Sequence, residues 1–209
     1  MNLWYTDGMG HREDLLEGAK RCLYEKGYAH TTARDIVNAS GTNLASIGYH
    51  YGSTEALLNA AMIQAIEEWG DEIGRTLVAG ADPDAVPMER FEATWTRVIE
   101  TFAAHRQLWV ATIEATSQAE RAPEVRAFLA DALQQGREGL AALFQGIDVA
   151  VDEKKAWTVG SFYQALLSGV MVQWLIDPGR APSGHDLAEA LRMILGSVQS
   201  AEETGDKRD

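Results

Sequence analysis

Proline occurs at only five positions in 209 residues, 83, 87, 123, 178 and 182, and each falls where an apolar period breaks. Proline lacks a backbone N–H and its ring clashes with the preceding turn, so helix interiors exclude it. Between these breaks, apolar residues recur three and four apart, and no run shows sustained alternation. That period is helical. The chain is therefore expected to be all-α, with about nine helices. Residues 11–26 place Leu15, Leu16, Ala19, Cys22 and Leu23 on one stripe, and Gly27 follows as a C-terminal stop. Thr32-Ala33-Arg34-Asp35 is a capping-box-like start for a short second helix, with Ile36 and Val37 facing inward. Gly41-Thr42 makes a turn, a third helix runs to about Tyr49, and Gly52-Ser53 precedes a long helix to about Leu77. AGADPDAVP, residues 79–87, reads as a linker. Further helices are expected near 88–104, 106–118, 123–145, 152–176 and 185–201, with a polar tail over 202–209.

Composition closes off several classes. Cys22 is the only cysteine, which rules out an internal disulfide or a cysteine-based metal cage and fits a reducing cytoplasm. The opening MNLWYTDGMGHRED lacks the basic start and apolar run of a signal peptide. The longest mostly apolar stretch, 162–176, is 15 residues and contains Gln164, Ser168 and Gln173. A bilayer span needs about 20 apolar residues, so no membrane partner is expected. The histidines at 11, 30, 50, 105 and 185 show no H-x-x-x-H or H-E-x-x-H spacing, so no metal site is expected. No nucleophile elbow, P-loop or dinucleotide fingerprint occurs, which argues against an enzyme and against a cofactor.

Helix, tight turn and helix is an arrangement whose second helix can enter the DNA major groove. Here the turn glycine is Gly41, with Val37 four residues before it and Ile47 six after, apolar positions that lock the two helices together. The exposed face of the second helix would carry Asn43, Ala45, Ser46 and His50, with Tyr49 beside them. Thr31, Thr32, Tyr49 and His50 can donate to phosphates, as can the helix N-termini. The formal charge of −13 does not oppose this. Residues 1–60 carry five Lys/Arg against seven Asp/Glu, a net of −2, and the other −11 lies beyond them. Binding depends on the local face more than on the total.

Residue identities sharpen the reading. Gly27-Tyr28, Thr31-Thr32, Ile36, Ala39, Gly41 and the run NLASIGYHYGSTEALL (43–58) resemble the TetR family of bacterial transcription regulators. The resemblance covers about sixty residues from His11, and its Tyr-His-aromatic-Gly-Ser-x-Glu-x-Leu-Leu ending is the most specific part. It implies an N-terminal three-helix DNA-binding domain (9–69) and a helical ligand-binding and dimerisation domain (70–201). It further implies a homodimer, most simply a repressor, that binds a palindromic operator and is released by a small molecule. DNA-facing positions would be Thr31, Thr32, Thr42, Asn43, Leu44, Ala45, Ser46, Tyr49, His50 and Thr54, with Thr32 and Tyr49 on phosphates and 43–46 over the bases. Leu44 stays open: periodicity puts it near the inner stripe, while family members often use this position to reach DNA. Two positions depart from the family pattern. Gly48 stands where Tyr or Asn is common, and Thr54 where a lysine usually opens the fourth helix. These departures favour a second reading, a helical dimer that binds a small molecule or protein with weakened or lost DNA binding.

In the C-terminal part, residues 156–176 are apolar nearly all round, with small residues at Gly160, Ser161, Ala165, Ser168 and Gly169. Such a helix is either wholly internal or buried on two sides, by its own core and by a partner. Leu187, Leu191, Ile194, Leu195 and Val198 form a second stripe, and the resemblance favours a homodimer through these two helices. Trp95, Phe102, Trp109, Phe128, Tyr163 and Trp174, with Thr112, Glu114 and Gln164 among them, are the candidate lining for an apolar or aromatic effector. The same residues could equally fill a core. Glu114 could bind a cationic or hydroxylated ligand or make a structural hydrogen bond.

Overall fold

A computed structural model describes residues 4–79, 85–120 and 122–205. Among the described residues nine α-helices follow one another and no strand occurs. They are α1 (Trp4–Lys26), α2 (Ala33–Ser40), α3 (Leu44–Tyr51), α4 (Thr54–Ala79), α5 (Pro87–Thr101), α6 (Arg106–Gln118), α7 (Pro123–Gln145), α8 (Glu153–Ile176) and α9 (Gly184–Gly205). Most of the proposed linker, residues 80–84, lies outside the described residues, as does the end of the polar tail from 206. Two helices run past their apolar pattern. α1 begins at Trp4, seven residues before the expected start at His11, and α9 continues to Gly205 through residues expected to be tail.

The ends of these helices follow from their sequence. Pro87 and Pro123 each sit in the first turn of a helix, where a missing N–H costs nothing. Gly41 ends α2 at φ +71°, a left-handed conformation that L side chains resist, and Thr42 N–H donates back to Val37 O at 3.2 Å. Asn43 opens α3 by accepting the Ser46 N–H at 3.1 Å. Ser53 does the same for α4, accepting the Ala56 N–H at 3.0 Å.

By contacts the described chain divides into two compact units. The first holds residues up to Asp71 together with His105–Gln164. Its buried side chains include Leu15, Ala19 and Leu23 of α1, Ile36, Ile47, Leu57 and Ala61. The same unit buries Leu108, Ala111 and Ala115 of α6 and Ala141 and Ala156 of α7 and α8. A Cβ at Gly160 would lie 2.0 Å from Arg137 O, so the α8 and α7 backbones meet there. The second unit holds Glu72–Ala104 and the residues from Ala165 onward. Trp95 and Val98 of α5, Phe102 at its C-terminal cap and Ala188 of α9 are fully buried in it. A Cβ at Gly184 would fall 2.6 Å from Glu92 O, which lets the first turn of α9 rest on α5. Glu92 there takes His185 Nδ1 at 2.9 Å and Arg192 Nη2 at 3.2 Å.

α8 is not a wholly internal helix. It buries Ala156, Tyr163, Leu167, Val170 and Met171, yet leaves Trp157 53%, Phe162 50% and Ile176 80% exposed. Its 24 residues, unlike the 15-residue apolar stretch among them, are long and apolar enough, by length and composition, to cross a membrane. Its inward face is nevertheless part of a protein core, as in many globular proteins.

Candidate nucleic-acid interface

α2, the turn at Gly41 and α3 form the expected helix-turn-helix, and each end carries its own cap. Thr32 precedes α2 with extended backbone (φ −104°, ψ 159°). Its hydroxyl accepts the Asp35 N–H at 3.2 Å and donates to Asp35 Oδ2 at 2.6 Å, while its own N–H donates to the same oxygen at 3.0 Å. Lys26 pairs with the other carboxylate oxygen. The Lys26 ammonium, then the Thr32 hydroxyl and amide, hold the Asp35 carboxyl well below the usual carboxylate range. This capping box satisfies two donors at the start of α2, the Thr32 and Asp35 amides.

The outward surface of α3 differs in part from the pattern expected of it. Leu44 is 55% exposed and Tyr49 84%, both large for side chains facing water. The open question at Leu44 is thus settled for the outer face. Asn43 and Ala45 are exposed as expected, and His50 is half-buried with its ring edge-on to Tyr49 at 4.8 Å. Ser46 does not join them. It is 8% exposed, because it follows Asn43 by three residues and turns inward beside Ile47. Thr31 is also inward, 8% exposed, and its hydroxyl donates to Gly27 O at 2.7 Å with Cys22 O at 3.2 Å. Thr42 is half-buried and its hydroxyl is hydrogen-bonded to Ser40 Oγ at 2.7 Å, either group able to donate. Thr54 is half-buried at the start of α4. Gly48 is exposed, and a Cβ there would meet nothing within 4 Å.

Most basic groups of this region are engaged by other groups of the chain, though Lys20 alone among them is buried. Arg21 donates to Ala39 O, Lys20 lies between Glu17 at 2.9 Å and Glu68 at 2.5 Å, and Arg12 stacks over Tyr51 at 5.3 Å. Arg34 is exposed in the first turn of α2 and, among the described residues, makes no ion pair or hydrogen bond. The sequence reading counted Arg34 but gave it no place. Its position two residues after the cap of a helix that meets the turn was the available signal.

The candidate effector residues fall into two groups. Trp95, Phe102 and Trp174 belong to the second unit, where Trp95 and Phe102 are fully buried and Trp174 meets Phe102 edge-on at 5.8 Å. Trp109, Thr112, Glu114, Phe128, Tyr163 and Gln164 belong to the first. Tyr163 accepts Gln145 Nε2 at 2.6 Å, and Thr112 donates to Leu108 O at 2.9 Å. Glu114 accepts the Ala29 backbone N–H at 3.0 Å, the structural bond that was one of its two readings. Gln64 Oε1 and Ser161 Oγ, which the sequence did not single out, are buried without a hydrogen-bond partner among the described residues. Buried polar atoms of that kind are uncommon in native proteins.

An all-helical chain with a capped helix-turn-helix near its start is of the helix-turn-helix class. Residues 15–61 match the family model described as bacterial regulatory proteins, tetR family, and residues 86–197 match that of the tetracyclin repressor-like C-terminal domain. The chain belongs to the TetR family. Among its relatives is the HTH-type transcriptional repressor AcnR of Corynebacterium efficiens, 41% identical over 49 residues, 23% of this chain and 26% of that one. AcnR of Corynebacterium glutamicum is 28% identical over 107 residues, 47% of this chain and 56% of its own. The chain thus spans about a quarter and about half the length of these two relatives. Similar folds include a transcriptional regulator from Rhodococcus sp. RHA1, with TM-score 0.63, 18% identity and coverage of 90% and 95% of the two chains. The multidrug binding protein EbrR, complexed with proflavin, has TM-score 0.59 at 22% identity, covering 88% and 98%.

Proposed function

We propose that this chain is a ligand-responsive transcriptional regulator, a repressor that binds a palindromic duplex as a homodimer and leaves it when a small molecule binds. The observation that carries the reading is the outward face of α3. A capped helix-turn-helix presents Leu44 and Tyr49 to solvent, apolar and aromatic groups that the rest of the chain leaves uncovered. Exposed large apolar side chains grouped on a short helix suit a contact surface better than a solvated one. Leu44 is of the right kind to meet a thymine methyl, and Tyr49, Arg34 and the remaining free N–H groups of the α2 and α4 N-termini to meet phosphates, whereas Thr32, expected on a phosphate, commits its hydroxyl and amide protons to Asp35.

DNA binding is assigned to residues 9–69, with Asn43, Leu44 and Ala45 over the bases, and effector binding and dimerisation to 70–201. In the second unit, Ile176 of α8 is 80% exposed, and Met193, Ile194 and Leu195 of α9 are 70%, 58% and 47% exposed. A second copy would bury these apolar surfaces across a two-fold axis. Ser161, within residues 70–201, adds a buried polar atom suited to orient an apolar or aromatic effector. The names of the relatives support the same reading: AcnR is a transcriptional repressor, and EbrR is a multidrug binding protein seen with proflavin.

The test is selection of the full chain against a random duplex library at low and moderate salt. Recovery of one inverted repeat, bound more weakly as salt rises, is the expected outcome. No enrichment at either salt, from protein shown by light scattering to be a folded dimer, would leave the second reading, a helical binding protein without DNA.

A further inference from the structure

We infer that Glu114 is a positioning residue for the DNA-binding surface, a latch by which α6 holds the loop that leads into α2; the inference rests on the DNA-binding reading above. The loop runs from Gly27 to Thr32 and ends in the cap of α2. Its other holds are the Thr31 hydroxyl on Gly27 O and the buried Tyr28 hydroxyl, which donates to Asn59 Oδ1 of α4 at 2.7 Å. Ala29 and His30 are exposed, and neither is fixed by burial. At that weak point the Glu114 carboxylate, 85 residues further on, accepts the Ala29 N–H at 3.0 Å.

Gly27 is fitted to the latch twice over. Its φ of +82° disfavours any L side chain, and a Cβ there would sit 3.2 Å from Glu114 Oε2 and 3.4 Å from Oε1. The carboxylate therefore lies directly over the end of α1. A second tie runs parallel, with Tyr24 OH and His105 Nδ1 3.4 Å apart at the start of α6. α6 also meets α4 through Trp109 and Trp69, edge-on with centroids 4.7 Å apart. One helix thus touches α1, the loop into α2, and α4. A displacement of α6 would reach the cap at Thr32 through Ala29, and release of the Glu114 bond would free the loop without unfolding α2, whose capping box is local.

Wild type, Glu114→Ala and Glu114→Gln would be titrated against the selected duplex well below their melting temperatures. Charge-assisted bonds to a backbone amide are strong enough that Glu114→Ala should weaken binding about five- to tenfold. Glu114→Gln, which keeps a carbonyl acceptor, should stay within about twofold of wild type. Equal affinity for wild type and Glu114→Ala would overturn the latch. Hydrogen exchange at the Ala29 amide of the wild-type chain decides independently of any variant and of DNA. Slow exchange at this exposed residue is expected, and exchange as fast as that of an unprotected amide would also overturn the latch. If no duplex is selected, the functional reading fails, and this exchange rate still judges the Glu114 bond.

Discussion

The two connections that frame α2 are held by different kinds of bond. The turn into α3 is closed by its immediate neighbours: Gly41 in a left-handed conformation, the Thr42 amide on Val37 O, and Asn43 capping the helix that follows. The loop out of α1 also begins with a left-handed glycine, Gly27, but its exposed middle is held by Glu114 from a helix far along the chain. A connection closed by neighbours keeps its geometry as long as its residues are kept. A connection held from a distance can be changed by whatever moves the distant helix. On the latch proposal, the α1–α2 loop is the part of the surface that a distant helix can adjust, and the α2–α3 turn is not.

Replacing the two glycines separates these cases, and the larger effect belongs to the loop. At Gly41 a Cβ meets nothing within 4 Å, so Gly41→Ala should cost only the left-handed backbone term, about 1–2 kcal/mol. Gly27→Ala incurs the same term and places Cβ 3.2 Å from Glu114 Oε2, so that the carboxylate must shift by a few tenths of an ångström and weaken its Ala29 bond, which should cost up to about 1 kcal/mol more. For a chain of this size each 1 kcal/mol lowers the melting temperature by about 2–4 °C. Equal losses in the two variants would break the comparison.

Much of the fold was legible because its signals are local. Pro87 and Pro123 mark helix starts, Thr32 and Asp35 form the capping box their spacing suggested, and α6 and α7 fall on residues 106–118 and 123–145 as expected. The site was legible only in outline. Ser46 was expected on the outer face, yet as the residue capped by Asn43 it turns inward, and Thr31 was expected to donate outward but closes its own loop. Glu114 was visible as a carboxylate in an apolar run, but its partner is a backbone amide 85 positions away, and no periodicity reports such a pairing. Leu44 shows the limit of periodicity on an eight-residue helix, where two turns leave the inner stripe poorly defined.

Smaller effects sharpen the local half of the comparison. Thr32→Ala removes both bonds of its hydroxyl at the start of α2 and should cost about 1 kcal/mol by chemical denaturation. Gly48→Ala should instead stabilise by about 0.5–1 kcal/mol, since a helical, exposed glycine with open space around it gains from a methyl group. A loss of stability there would mean that α3 needs the freedom of a glycine. Acid melting reads the cap through Asp35, whose folded carboxyl lies below its unfolded value. The stability this contributes is present above about pH 4 and fades as pH falls through the lower, folded value. Asp35→Asn should therefore lose less stability than wild type between about pH 5 and pH 2. Parallel pH curves would remove Asp35 from the account.

The claim that α3 is a DNA-reading helix is tested most directly by one titration. The selected duplex is titrated at fixed salt with wild type and with Leu44→Ala/Tyr49→Ala, whose side chains are exposed and contribute little to the core. Loss of the two contacts, at about 1 kcal/mol or more each, predicts binding weakened about thirtyfold or more in total, with an unchanged melting temperature. Equal binding by both proteins would contradict the account, since the surface of α3 would then lie away from the DNA.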